Sequence, residues 1–168
     1  MEAEMAYRKE RMVIASAYAI SAFLLLNFVP KNKIRYAIVP FLFKQVLTWA
    51  FGLLVVEKKL ITYPYRAFFK RAYKGSFCFE YIFYPVFSVI YNLYYPEKRN
   101  VWIQTLYCFM YTSLLVGFET LIVKHTKLIR YKKWNWYWSF ITICITNYMS
   151  QVFYRWFFKN DLEGFEDL

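Results

Sequence analysis

The chain has 168 residues, of which 60% are hydrophobic and 24% aromatic, and it carries 22 Lys and Arg against 11 Asp and Glu. The positive residues lie between long apolar stretches, which argues against nucleic-acid binding and makes anionic lipid headgroups the expected counter-charge. Cys78, Cys108 and Cys144 fall singly in different stretches, and the chain has a single His. This spacing argues against a metal site or a disulfide framework.

Five stretches are long and apolar enough to cross a bilayer, since a transmembrane helix needs about 20 mainly apolar residues. They comprise residues 12–29, 36–56, 76–95, 101–123 and 135–158. We therefore predict an all-α fold, a polytopic membrane helix bundle with five transmembrane helices in one domain of residues 1–168. The first stretch lacks a small-x-small cleavage site, so we interpret it as a retained anchor. Residues 159–168 form an acidic tail.

Between the second and third stretches, the sequence predicts an interfacial amphipathic helix over residues 63–75. Apolar residues recur at helical spacing from Tyr65 to Tyr73, which is typical of a helix lying in the membrane surface. The cations on its opposite face are predicted to contact anionic headgroups: Arg66, Lys70, Arg71 and Lys74. A solvated basic linker is the alternative.

Ionisable residues inside a membrane are candidates for function, because an unpaired charge there is costly. At 1.5 Å per residue, Glu80 and Glu119 lie about 6 Å below the same interface on antiparallel helices, so they could face each other. Pro85 cannot donate to the carbonyl of Tyr81, which then needs another partner. We predict an intramembrane polar site that contains Glu80, Glu119, Tyr81, Tyr84 and Lys44.

Two interpretations of the glutamates stay open. If the carboxylates approach closely, repulsion would make them share a proton, which suits proton coupling or cation passage. Alternatively, each carboxylate pairs with an interfacial cation and only fixes a helix end; the candidates are Arg66, Lys70, Lys124 and Lys127. Lys44 lies about 12 Å from the glutamates in depth, so direct pairing is not assumed.

Small and hydroxyl-bearing residues predict where helices approach closely. They form one face on the first stretch, at Ala15, Ala19 and Ala22, and one on the fifth, at Asn135, Ser139, Thr142, Thr146 and Ser150.

Basic and aromatic residues cluster where the fifth stretch begins. Trp and Tyr rings favour the headgroup level while Lys and Arg reach phosphates, so this cluster predicts an interfacial anchor or, more specifically, a headgroup site. Its residues are Arg130, Lys132, Lys133, Trp134 and Trp136. Across five spans, 14 Lys and Arg fall on the side of the N-terminus and seven on the other side. This asymmetry predicts a cytoplasmic N-terminus and an external C-terminus.

Residues 76–85 (SFCFEYIFYP), 91–95 (YNLYY) and 131–138 (YKKWNWYW) resemble the signatures of a known family. It is a family of small uncharacterised multipass membrane proteins of endospore-forming Bacillota (Bacillus/Clostridium type). The similarity extends from about the second span to Phe158. It implies a bacterial cytoplasmic (inner) membrane and an association with sporulation, but no activity.

The sequence contains no Gly-x-Ser-x-Gly motif, phosphate loop or metal-ligand cluster, so no catalytic residue, enzyme activity or cofactor is expected. A membrane-organising or partner-binding scaffold needs only anchors, a packed bundle and a surface helix, and it is the leading hypothesis. Its partners would be anionic lipid and another membrane protein or a second copy of the chain. The alternative is a proton- or cation-coupled transporter or channel component that uses Glu80 and Glu119.

Overall fold

The computed structural model describes residues 7–67 and 74–159, most of which are helical. Five α-helices are present in this part of the chain: α1 (Arg8–Phe28), α2 (Ile34–Glu57), α3 (Tyr84–Leu93), α4 (Val101–His125) and α5 (Trp136–Phe157). A 3-10 turn, Lys31–Lys33, leads into α2, and a π-helical turn, Phe79–Phe83, leads into α3.

Three helical segments are long and apolar enough to cross a membrane: α1, the segment Lys31–Glu57 that includes α2, and α4. The helices in the other two predicted spans do not reach this standard. The α3 helix has only 10 residues, and α5 carries polar residues along one face. The protein is therefore a mostly helical chain with three helices suited to a bilayer.

The α3 helix lies at the centre of the bundle and contacts the other four helices. Its side chains are correspondingly buried, with Val86 and Val89 at 0% exposure and Tyr91 at 1%. The π-helical turn before it packs Phe79 and Phe83 into the main hydrophobic core. Because the other helices surround α3, it does not need an apolar face directed toward lipid.

Two short strands close one end of the bundle. The strands β1 (Ile61–Thr62) and β2 (Arg130–Tyr131) pair in antiparallel fashion, with Ile61 opposite Tyr131. Beyond them, the backbone N–H of Lys132 donates to the carbonyl of Leu60 at 2.9 Å. The loops before α3 and before α5 are thereby tied together, which the all-α prediction did not anticipate.

The prediction of an amphipathic helix over residues 63–75 is wrong at both ends of this range. Residues 63–67 and 74–75 are not helical. Residues 68–73, which include Lys70 and Arg71, lie outside the described residues, and so does the acidic tail beyond Lys159.

The predicted small-residue face is wrong for α1 and right for three of its five residues in the fifth stretch, where Asn135 is exposed and Thr142 is half-buried. In α1 the alanines at 15, 19 and 22 are exposed, whereas Ile14, Ala17 and Ser21 face the bundle. Small size permits close approach but does not select a face, and here Ile14 and Ala17 join the hydrophobic core. In α5 the predicted residues Ser139, Thr146 and Ser150 are buried.

Candidate functional site

Backbone carbonyls in the π-helical turn hold α2 and α3 together. Pro85 has no N–H, and the π-helical turn immediately precedes it. The carbonyl of Tyr81 accepts a hydrogen bond from the Gln45 side chain at 3.2 Å, and the carbonyl of Glu80 accepts one from the Thr48 hydroxyl at 2.6 Å. The Tyr81 carbonyl was predicted to need a polar partner, and the Gln45 side chain is that partner.

The side chain of Glu80 is buried against α2. Its Oε1 accepts a hydrogen bond from the backbone N–H of Ser76 at 3.1 Å. The carboxylate lies directly over Gly52, where a Cβ atom would collide with the carboxylate oxygens. A glycine at position 52 therefore provides the space that this carboxylate occupies.

Glu119 sits at the centre of a hydroxyl network. Its Oε2 accepts a hydrogen bond from Tyr84 at 2.8 Å, and its Oε1 accepts from Tyr131 at 2.5 Å and from Ser139 at 2.7 Å. These donors come from α3, β2 and α5, so one carboxylate joins three elements. No cationic side chain in the described part of the chain pairs with Glu119. The predicted ion pair between Glu119 and an interfacial cation is therefore not present among the described residues.

Tyr131 and Trp134 extend this network toward the end of the bundle. The indole N–H of Trp134 donates to the Ser139 hydroxyl at 2.8 Å, and the Tyr131 and Ser139 hydroxyls lie 3.1 Å apart. Burial, together with the nearby Glu119 carboxylate, raises the pKa of Tyr131 above 10.0. Tyr131 is consequently a neutral hydrogen-bond donor at physiological pH.

Lys44 is a buried residue in the interior of α2, with 1% exposure. Its Nζ donates to the Thr146 hydroxyl and to the Asn147 side-chain carbonyl, both at 2.7 Å. The α5 partners of Lys44 and Glu119, Thr146 and Ser139, are seven residues apart, which is about 10 Å along a helix.

One cavity inside the bundle connects these groups. It has a volume of about 100 Å³, and its lining includes Lys44, Glu80, Glu119, Tyr84 and Trp134. The structure thus brings together four of the five residues of the predicted polar site. Tyr81 contributes its carbonyl, while its ring stacks on Phe77 at 4.8 Å. A cavity of this volume has room for several waters.

The predicted headgroup contacts fall into two groups. Those with exposed side chains are Lys74, Arg130, Lys132, Lys133 and Trp136. Arg66 and Trp134 are half-buried, and Trp134 points its N–H into the Glu119 network. Exposure leaves the first group available to lipid, and their role as headgroup contacts stays a prediction.

Several contacts were not predicted from the sequence. Glu10 is buried, and its carboxylate accepts a hydrogen bond from the backbone N–H of Lys127 at 2.9 Å. Cys108 and Cys144 were treated as isolated, yet their sulfur atoms lie 3.6 Å apart as free thiols. Cysteines on two helices give no sequence signal of this proximity, because it depends on how both helices rotate.

The chain matches no protein family, no curated protein and no solved structure. Within residues 7–67 and 74–159, no group of three metal-ligating side chains is present. The resemblance to membrane proteins of Bacillota stays a prediction, so the function has to be argued from the polar cavity.

Proposed function

We propose that the chain is an integral membrane protein in which all five helical segments cross the bilayer, with a cytoplasmic N-terminus. The outward face of α5 supports this proposal. Trp136, Ile145, Tyr148 and Trp156 are 48% to 70% exposed along its length, whereas its polar side chains other than Arg155 in the last turn mostly face inward. The mixed composition of α5 therefore reflects its interior face, and its exterior is as apolar as lipid requires.

For the third crossing, the relevant helix is longer than α3 alone. Helical backbone runs from residue 77 through the π-helical turn to residue 93. Such a segment covers about 25 Å at 1.5 Å per residue, near the lower limit for a transmembrane helix. The central position of this helix favours a crossing, because the surrounding helices provide the contact with lipid.

We propose that the protein is a proton- or cation-coupled transporter or channel component. One observation carries the proposal: Lys44, Glu80 and Glu119 line a single cavity between helices that are apolar outside. Burying charges costs several kcal/mol, and apolar side chains of similar volume usually stabilise a structure at least as well. A bundle that served only as a support would gain little from three such residues.

The cavity also has suitable chemistry. Waters in it would lie between Lys44 and Glu119, since both side chains line it. Glu119 receives its hydrogen bonds from neutral hydroxyl groups, so no cationic side chain of the described residues neutralises it. Both properties suit a path for positive charge.

Flux through reconstituted protein tests this proposal. Proteoliposomes with an imposed pH or potassium gradient should dissipate it faster than protein-free vesicles, and Glu119→Gln or Lys44→Met should abolish the difference. Glu57→Gln is a matched control, because Glu57 is exposed at the end of α2. Wild-type flux equal to that of empty vesicles under both gradients would overturn the proposal.

A membrane-organising or partner-binding scaffold is the second proposal, and the Glu119 network favours it. Three hydroxyl donors satisfy this carboxylate and fix α3, β2 and α5 to one another. A scaffold would show no flux and would retain a specific lipid, protein or second copy during purification from its native membrane. From the resemblance, we propose that this membrane is the inner membrane of an endospore-forming bacterium.

A further inference from the structure

A second, larger cavity lies at the opposite end of the bundle from β1 and β2. Its volume is about 590 Å³, within the range of small-molecule sites. It is bounded by the turn Lys31–Lys33, the end of α3, the loop that leads into α4 and the last turns of α5. The charged residues of its lining are Lys33, Glu97, Lys98 and Arg99.

The lining of this cavity carries a net positive charge. Lys33, Lys98 and Arg99 contribute three cations, and their side chains form no hydrogen bond or ion pair with the described residues. Glu97 is the one acidic residue in the lining. Its Oε1 already accepts hydrogen bonds from Arg155 at 3.2 Å and from Gln151 at 3.0 Å. Since Arg155 balances Glu97, the three cations are left to attract an anion.

We propose that this cavity binds a phosphate-bearing molecule. Lys and Arg side chains are the usual partners of phosphate. The headgroup of an anionic glycerophospholipid has this chemistry, and so does a soluble glycerol phosphate ester. The site is separate from the polar cavity between the helices and from the headgroup contacts predicted near β2.

Lipid binding by the purified protein tests whether these cations hold a phosphate. Native mass spectrometry would measure the affinity for phosphatidylglycerol and for phosphatidylcholine. Phosphatidylglycerol should bind more tightly, and Lys33→Gln and Arg99→Gln should each weaken it about fivefold. Lys31→Gln is the matched control, because Lys31 belongs to the same turn and does not line the cavity. Equal affinity for both lipids would overturn the proposal. An equal loss of affinity in Lys31→Gln would also overturn it.

Competition between two ligands resolves the source of the phosphate. If dilauroyl phosphatidylglycerol binds and glycerol 3-phosphate does not displace it, the ligand is the lipid. If glycerol 3-phosphate alone binds tightly and Lys33→Gln weakens this binding, the ligand is a soluble ester.

Discussion

Removal of one hydroxyl from the Glu119 network has a predictable effect on stability. Tyr131→Phe deletes the donor that lies 2.5 Å from Glu119 Oε1 and keeps the aromatic ring. Hydrogen bonds to charged groups contribute about 1.5–3 kcal/mol in water-soluble proteins, whereas those measured in membrane bundles average about 0.6 kcal/mol. Tyr131 lies at the end of the bundle and is half-buried, so we expect a loss of about 1–2 kcal/mol in the free energy of unfolding.

Unfolding in mixed micelles with increasing denaturing detergent, followed by circular dichroism, would measure this loss. Tyr137→Phe is the control, since among the described residues the Tyr137 hydroxyl bonds only to the exposed Asn135 side chain, and it should change stability by less than about 0.5 kcal/mol. In a Glu119→Gln background, Tyr131→Phe should cost at least about 0.5 kcal/mol less than in the wild type. Equal costs in both backgrounds would show that Tyr131 does not act through Glu119.

Three other predictions follow from contacts in the bundle. Gly52→Ala should destabilise the protein by about 1–3 kcal/mol because its Cβ would displace the buried Glu80 carboxylate, whereas Gly117→Ala, which meets open space, should be neutral or stabilising in the same unfolding assay. Mild oxidation should join Cys108 to Cys144 within one chain, and mass spectrometry that recovers neither peptide in crosslinked form would contradict the packing of α4 on α5. Because folding raises the pKa of Tyr131, the folded state retains a proton that the unfolded state loses above about pH 10. Stability should therefore fall more steeply above that pH in the wild type than in Tyr131→Phe, and identical slopes would refute the assignment.

The helices were predictable because apolar length is a strong local signal. Each of the five predicted stretches contains one α-helix, and the stretch beginning at residue 76 also contains the π-helical turn. The pair of β1 and β2 gave no such signal, since two-residue strands have no periodicity and their pairing is non-local. Charge placement supports a membrane orientation, but it says nothing about how the helices pack.

The residues that form the polar site were predictable from the sequence, but their hydrogen-bond partners were not. Depth alone placed Glu80 and Glu119 near each other, and both line the cavity. The partners of Lys44 depend on the rotation of α5, which single-sequence spacing does not determine. Tyr131 was assigned to an interfacial stretch because aromatic and basic residues surround it. Its position in the cavity network follows from the strand pairing that the sequence did not reveal.

The number of membrane crossings tests the account most directly, because the polar cavity lies within the bilayer only if the five helical segments cross it. Single cysteines introduced as Lys59→Cys, Lys98→Cys and Lys133→Cys in a cysteine-free background would be labelled from each side of intact membrane vesicles with a membrane-impermeant maleimide. We predict that positions 59 and 133 react from the cytoplasmic side and that position 98 reacts from the opposite side. Labelling of all three positions from one side would contradict the five-helix membrane bundle.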